Sequence, residues 1–278
     1  MRPAKAAMLI DLTRCIGCEA CVWACKESNG LPRESGIGKL SATTWSVLER
    51  HDGAAVRRQC MHCLEPACAS VCPVGALHKT AAGPVVYDAD KCIGCRYCMV
   101  GCPFGVPKYE WDKPLPTVKK CLFCFETRVS QGRQPACAEA CPTGATLFGD
   151  RDELLAEARR RMAEEPRKYV DRIYGEREAG GTSILYLSSV PFEQLGFKTE
   201  LASDSYPGLT WDILSKLPRV VTLGGAVLAG IWWITGRREV LDQVRRGEIT
   251  LDEAMERKPP LVPIRPEDRA GSGEEVVS

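Results

Sequence analysis

The longest uncharged stretch in the chain is VVTLGGAVLAGIWWITG, seventeen residues between Arg219 and Arg237. As a helix it would extend about 26 Å, against a hydrocarbon core of about 30 Å. A core helix of a soluble protein is the competing reading. Such helices are usually amphipathic, whereas this segment is apolar all round and ends in a Trp232-Trp233 pair suited to a membrane interface. The pattern predicts one transmembrane helix over 217–236. Upstream, DRDELLAEARRRMAEEP reads as a solvated helix with Asp150 as N-cap and Glu153 three residues on. Nearer the amino terminus, short β-prone segments such as GPVVYDADKC (Gly83 to Cys92) alternate with short helical ones after each Cys-Pro pair. Small βαβ units are expected there rather than one large sheet. The tail KPPLVPIRPEDRAGSGEEVVS is Pro-rich, then polar, and is expected to be disordered at its end.

With 45% apolar residues among 278, a buried core is possible. The 37 basic and 36 acidic residues leave a net charge of +1, which gives no general reason to expect a nucleic-acid partner. Cysteine changes the picture: there are 16, all between Cys15 and Cys141. A disulfide framework belongs to short secreted chains that cannot build a core, and this chain is too long to need one. Clustered thiols point instead to metal.

The cysteines fall into four sets of four. The first is Cys15, Cys18, Cys21 and Cys25; the second is Cys60, Cys63, Cys68 and Cys72; the third is Cys92, Cys95, Cys98 and Cys102. The fourth, Cys121, Cys124, Cys137 and Cys141, widens its middle gap to twelve residues. Ligands at every third residue let one loop wrap three corners of an iron–sulfur cubane. A cysteine one helical turn beyond the third ligand points away from that loop, and in bacterial two-cluster ferredoxins it ligates the other cluster. Pairs of Cys-x-x-Cys also build structural zinc sites. Zinc does not require the further two cysteines, nor the Cys-Pro ending that three of the sets share. His62, between Cys60 and Cys63, is not needed as a ligand and reads either as solvated or as a neighbour of the ligands. No catalytic residues are expected: a Gly-rich nucleotide loop and a Ser-His-Asp set are both missing, and there are only three histidines.

At these residues the chain resembles a known family. The order of the sets, the stretches QCMHC, GCRYCMVGCPFGVPKY and CPTGATLFGDRDEL, and the later YGEREAGGTSILYLSSVPFEQLG are similar to the four-cluster iron–sulfur subunit of membrane-bound respiratory oxidoreductases. Within that family the chain is most similar to the electron-transfer subunit of uptake nickel–iron hydrogenases, and next to that of respiratory formate dehydrogenase. The resemblance spans residues 8–236. It implies an α+β fold of two interlocked ferredoxin-like double-cluster units followed by a single C-terminal transmembrane helix. The corresponding divisions are a four-cluster domain over 1–149, an extension over 150–216 that packs on it or on partner subunits, the helix over 217–236 and a cytoplasmic tail over 237–278.

The resemblance also implies four [4Fe-4S] clusters with crossed ligands. One takes Cys15, Cys18, Cys21 and Cys141, and its neighbour takes Cys121, Cys124, Cys137 and Cys25. The inner pair takes Cys60, Cys63, Cys68 and Cys102, then Cys92, Cys95, Cys98 and Cys72. Some relatives carry tryptophan at the position of Cys95 and hold a three-iron cluster; Cys95 argues against that here. One departure is Lys26, where the other sets have proline: it either raises the potential of a nearby cluster or is a solvated surface lysine.

The expected role is a wire between a catalytic subunit, of hydrogenase or molybdopterin type, and an integral membrane quinone- or haem-binding subunit. Electrons enter at the first-and-fourth pair and leave at the second-and-third, or the reverse. A formate dehydrogenase complex is the alternative partner, and a soluble cytoplasmic polyferredoxin is the alternative of another class. Arg237, Arg238, Arg245 and Arg246 outnumber Lys216 and Arg219 across the helix, which makes the tail cytoplasmic and puts the cluster domain on the outer, periplasmic face. The stretch MRPAKAAMLIDLTRC carries no export signal of its own. The domain is therefore expected to be exported already folded, attached to a partner bearing a twin-arginine signal.

Overall fold

The computed structural model describes residues 5–34, 38–51 and 53–256. The polar tail expected to be disordered lies outside them. Two units are distinguished, Met1–Trp211 and Asp212–Ser278. In chain order the elements begin with β1 (Ala6–Asp11), α1 (Ala20–Ser28), β2 (Val47–His51), β3 (Ala54–Arg58), α2 (Ala67–Ser70), β4 (Leu77–Lys79) and β5 (Val85–Tyr87). Then come α3 (Tyr97–Gly101), β6 (Lys108–Tyr109), β7 (Val118–Lys119), α4 (Ala136–Glu139), β8 (Thr146–Asp150), α5 (Arg151–Glu164) and β9 (Ile184–Leu187). The chain continues through α6 (Tyr206–Leu214), α7 (Leu217–Arg245) and α8 (Leu251–Glu256).

Strand β1, with the sequence AAMLID, is buried on both faces because it is the centre of a three-stranded sheet ordered β8-β1-β9. It pairs antiparallel with β8, Met8 opposite Phe148, and parallel with β9, Leu9 opposite Leu185. Successive side chains of a strand point to opposite faces. Ala7 and Leu9 accordingly join Leu154, Leu155 and Ala158 of α5 in one apolar cluster. Met8 and Ile10 join Tyr174, Tyr186, Phe192 and Phe197 in another. Helix α5 is thus solvated on one side only. Its start is as the sequence predicts: Asp150 Oδ1 accepts the Asp152 N–H at 2.9 Å. At the end of β1 the fully buried Asp11 accepts from Arg161 Nη1 at 2.9 Å, from the Tyr169 hydroxyl at 3.0 Å and from the Thr13 N–H at 3.1 Å, tying the sheet to α5 and to the segment that follows it.

The local order differs from the βαβ expectation. The short helices precede the Cys-Pro pairs rather than follow them, and β2-β3, β4-β5 and β6-β7 are two-stranded antiparallel hairpins. Proline disfavours the helical region for the residue before it. Cys102 before Pro103 is accordingly extended, at φ −81° and ψ 113°, and closes α3. The helical residues are those that carry the third cysteine of each set: Cys21, Cys68, Cys98 and Cys137.

In the second unit, α7 runs on to Arg245, past the 217–236 expected, with Pro218 in its first turn, where a missing N–H costs nothing. Leu223, Leu228, Ile231 and Trp233 are all more than half exposed. The most apolar window of this helical region has a mean hydropathy of 1.5, sufficient by length and composition for a membrane span.

Candidate functional site

Each cysteine set opens with the same backbone turn. The residue two after the first cysteine has positive φ in all four: Gly17 at 71°, His62 at 48°, Gly94 at 70° and Phe123 at 63°. This turn folds the loop back over its own thiol, so that the Gly94 and Phe123 N–H groups reach Cys92 Sγ and Cys121 Sγ at 3.4 Å. Glycine adopts this conformation freely; His62 and Phe123 do not. Their rings are fully buried and meet edge to face at 4.8 Å, so packing holds the second and fourth turns where glycine permits the first and third. His62 is therefore not solvated. Its Nδ1 accepts the Val85 N–H at 3.0 Å and its Nε2 has no partner among the described residues. Burial, then the charges of Lys120 and Lys79, push its pKa well down and keep the ring neutral.

The fold brings together thiols that are distant in sequence. One hollow is lined by Cys25, Cys121, Cys124 and Cys137. Another is lined by Cys72, Cys92, Cys95 and Cys98. The Cys63 thiol is pushed up by burial and then by the thiols of Cys60, Cys102 and Cys68. Cys15 is raised by burial and also by Cys21, Cys141 and Cys18. Further contacts join these groups in a row. Cys21 has Cys137 beside it, Cys121 has Cys60, and Cys68, pushed up to about 12 chiefly by burial, has Cys98 among its neighbours. Cys141 goes the other way. Burial opposes its ionisation, but the N–H groups of Thr146, Ala145 and Thr143 and the Thr143 hydroxyl point at the sulfur and lower its pKa. Among the described residues no group of three or more His, Cys, Asp or Glu closes tightly enough to hold one metal ion. Tetrahedral zinc needs its sulfurs at about 2.3 Å from a single point, whereas thiols spread around a hollow suit a larger body with several irons.

The surroundings of the thiols are cationic, which composition did not reveal. Lys79 Nζ donates to the Cys63 carbonyl at 2.6 Å, and burial lowers its pKa to about 8. Lys120 Nζ donates to the carbonyls of Cys121, at 3.0 Å, and Val85. Arg57 is 1% exposed, and its Nε and Nη1 have no acceptor among the described residues. An iron–sulfur cluster with thiolate ligands is an anion, so the orphaned Arg57 donors, with the Lys79 and Lys120 charges beside ligand carbonyls, fit the group that the cysteines call for. Lys26, by contrast, is neither solvated nor left free to face a cluster. It is buried, and Nζ donates to Pro32 O at 2.8 Å, Thr44 Oγ1 at 3.0 Å and Thr43 O at 3.1 Å, clamping the loop after α1.

Comparison with known proteins gives matches at these same segments. Residues 52–151 match a family described as a 4Fe-4S dicluster domain, and residues 6–27 match a 4Fe-4S binding domain. The chain is 37% identical to the hydrogenase-2 operon protein HybA of Escherichia coli O157:H7, over 88% of each chain. It is 39% identical to the iron–sulfur subunit of the nitrate-inducible formate dehydrogenase of Escherichia coli K12, over 66% of this chain and 68% of that one. A protein of Nitratidesulfovibrio vulgaris Hildenborough is 40% identical over 87% of this chain and 70% of its own.

Proposed function

The chain belongs to the family of iron–sulfur electron-transfer subunits of hydrogenase and formate dehydrogenase complexes, and from that premise we propose that it relays electrons between a nickel–iron hydrogenase subunit and an integral membrane subunit that binds quinone or haem. The observation that carries this reading is the row of neighbouring thiol groups through the first unit. Each [4Fe-4S] cluster, when bound, takes up and releases one electron with little ligand movement. The ligands assigned are Cys15, Cys18, Cys21 and Cys141; Cys121, Cys124, Cys137 and Cys25; Cys60, Cys63, Cys68 and Cys102; and Cys92, Cys95, Cys98 and Cys72. Two interlocked double-cluster units result, since Cys25, Cys72, Cys102 and Cys141 each cross to the partner set. The hollows and mutual thiol effects described above support this assignment, and the contacts between groups give the order first, fourth, second, third.

The ends of that row differ from its middle. Cys25, Cys60, Cys121, Cys124 and Cys137 are buried, whereas Cys18 is exposed and Cys92 and Cys95 are half-buried. Around the third set Ile93, Tyr97, Val100, Trp111 and Leu115 are all exposed by more than 60%, a patch suited to a partner subunit. Exit at this end to the membrane subunit agrees with the order above. Hydrogenase is favoured over formate dehydrogenase because the match to HybA spans more of the chain.

Anaerobic purification in detergent tests the assignment. About sixteen irons with acid-labile sulfide and a copurifying nickel subunit are expected. A copurifying molybdopterin or tungstopterin subunit would replace the hydrogenase reading, and zinc without sulfide would end the cluster reading.

Anchoring is assigned to 217–236, with Arg237, Arg238, Arg245 and Arg246 at the cytoplasmic end and the clusters on the outer face. Leu228→Arg would place a charge near the middle of the span at a cost of about 3 kcal/mol, roughly a hundredfold in insertion. The variant should move from the carbonate-resistant membrane pellet to the soluble fraction. Release of the unaltered chain by carbonate alone would instead support a soluble polyferredoxin.

A further inference from the structure

Arg57 lies in β3, whose ladder pairs it with Leu48, and its carbonyl accepts the Tyr186 hydroxyl at 2.8 Å. These contacts fix the backbone and send the side chain into the interior, where it is 1% exposed. There, Nη2 donates to a weak acceptor, Met8 Sδ at 3.4 Å, while Nε–H and Nη1–H have no hydrogen-bond partner among the described residues. No carboxylate pairs with it among the described residues. Tyr186, its aromatic neighbour, is held neutral by burial, with its pKa pushed up to about 12.

A guanidinium is charged at any physiological pH, and burying it without an anion costs several kcal/mol. The groups that do face it are thiols. Met8, its sulfur contact, lines the hollow of Cys25, Cys121, Cys124 and Cys137 and packs in one cluster with Cys137 and Cys21. Cys21 belongs to the first-set ligand group and Cys137 to the fourth, so the side chain stands at the junction of two proposed clusters. The arrangement is incomplete as a protein-only structure and becomes complete if both neighbours are anions.

We infer that Arg57 is a shared counter-ion of the first- and fourth-set clusters, donating N–H hydrogen bonds to their sulfurs and raising both reduction potentials. This rests on the cluster assignment above. A fixed positive charge and N–H···S bonds stabilise the more negative, reduced form, so each cluster is easier to reduce than it would be beside a neutral side chain. The guanidinium fork can serve two acceptors in different directions; a lysine ammonium supplies charge without that geometry.

The test uses the complex purified in detergent, with iron and sulfide measured first and midpoints read by EPR-monitored redox titration. In Arg57→Gln the midpoints of the first- and fourth-set clusters should both move to lower potential, while those of the second and third stay in place. Arg57→Lys should restore part of the shift. Full sulfide content with unchanged midpoints, or an equal shift in all four clusters, would overturn the role of Arg57 and leave the cluster assignment standing. Lack of sulfide in the unaltered complex would instead overturn the assignment beneath it. If Arg57→Gln fails to load, pulsed EPR of the unaltered complex labelled with 15N-arginine decides: nitrogen coupling in the reduced first- and fourth-set signals supports the bonds, and no coupling rejects them.

Discussion

Cys102→Ala is expected to destroy or open the cluster of Cys60, Cys63 and Cys68 and to leave that of Cys92, Cys95 and Cys98 intact. Position along the chain suggests the opposite, since Cys102 is four residues from Cys98 and thirty-four from Cys68. The turn of α3 decides: Cys98 lies inside the helix, whereas Cys102 leaves it in an extended conformation forced by Pro103. There it packs against the cluster of Cys60, Val106 and Cys121, and its thiol raises the pKa of Cys63. Losing a ligand costs one cluster of four, so iron should fall by about a quarter, or by about one atom if a three-iron species persists. Assignment is by comparison. The low-temperature EPR spectrum should match that of Cys63→Ala and differ from that of Cys95→Ala, and a match to Cys95→Ala would show that Cys102 serves its own loop. Cys72→Ala is the mirror experiment and should resemble Cys95→Ala.

The second large effect is structural. Asp11→Ala should cost about 3 kcal/mol, because it leaves the buried Arg161 without its shielded partner and the Tyr169 hydroxyl without an acceptor. The figure is at the low end for a broken buried pair because Arg161 Nε keeps Glu157 at 2.7 Å, in a more exposed position. For a unit of this size that corresponds to a fall of about 10 °C in the thermal midpoint, followed anaerobically as bleaching of the loaded protein. Arg161→Met in the same chain should recover more than half of the loss, since it removes the stranded charge along with its partner. Strictly additive losses would mean that the two residues stabilise the sheet separately.

The cysteine spacing declares the cofactor because ligand spacing within a loop is a local property that any wrapped cluster must satisfy. The apolar segment before Arg237 is legible for the same reason, as is the Asp150 cap. What the sequence hides is long-range. Nothing in DRDELLAEARRRMAEEP marks Leu154, Leu155 and Ala158 as a face for β1, because the partner strand lies more than a hundred residues away and contributes Ala7 and Leu9 to the other side of the contact. Charged residues mislead most. Lys26 reads either as solvated or as facing a cluster, and nothing in the sequence marks Arg57 or Lys120 as buried; their burial follows only from where carbonyls and thiols gather in three dimensions. The order of helix and Cys-Pro is a different kind of miss, since the rule that proline excludes its predecessor from a helix was available and locates the helix end correctly.

The left-handed turns at Gly17 and Gly94 on one side, and at His62 and Phe123 on the other, divide the four loops by what holds their first turn. In the first and third loops glycine takes the first left-handed position freely, although Glu19 and Arg96 take a second one further on. A turn at His62 or Phe123 is unfavourable by roughly 1 kcal/mol until the two rings meet in the finished core. The first turn of the inner loops is therefore tied to the assembled core, whereas that of the outer loops is not.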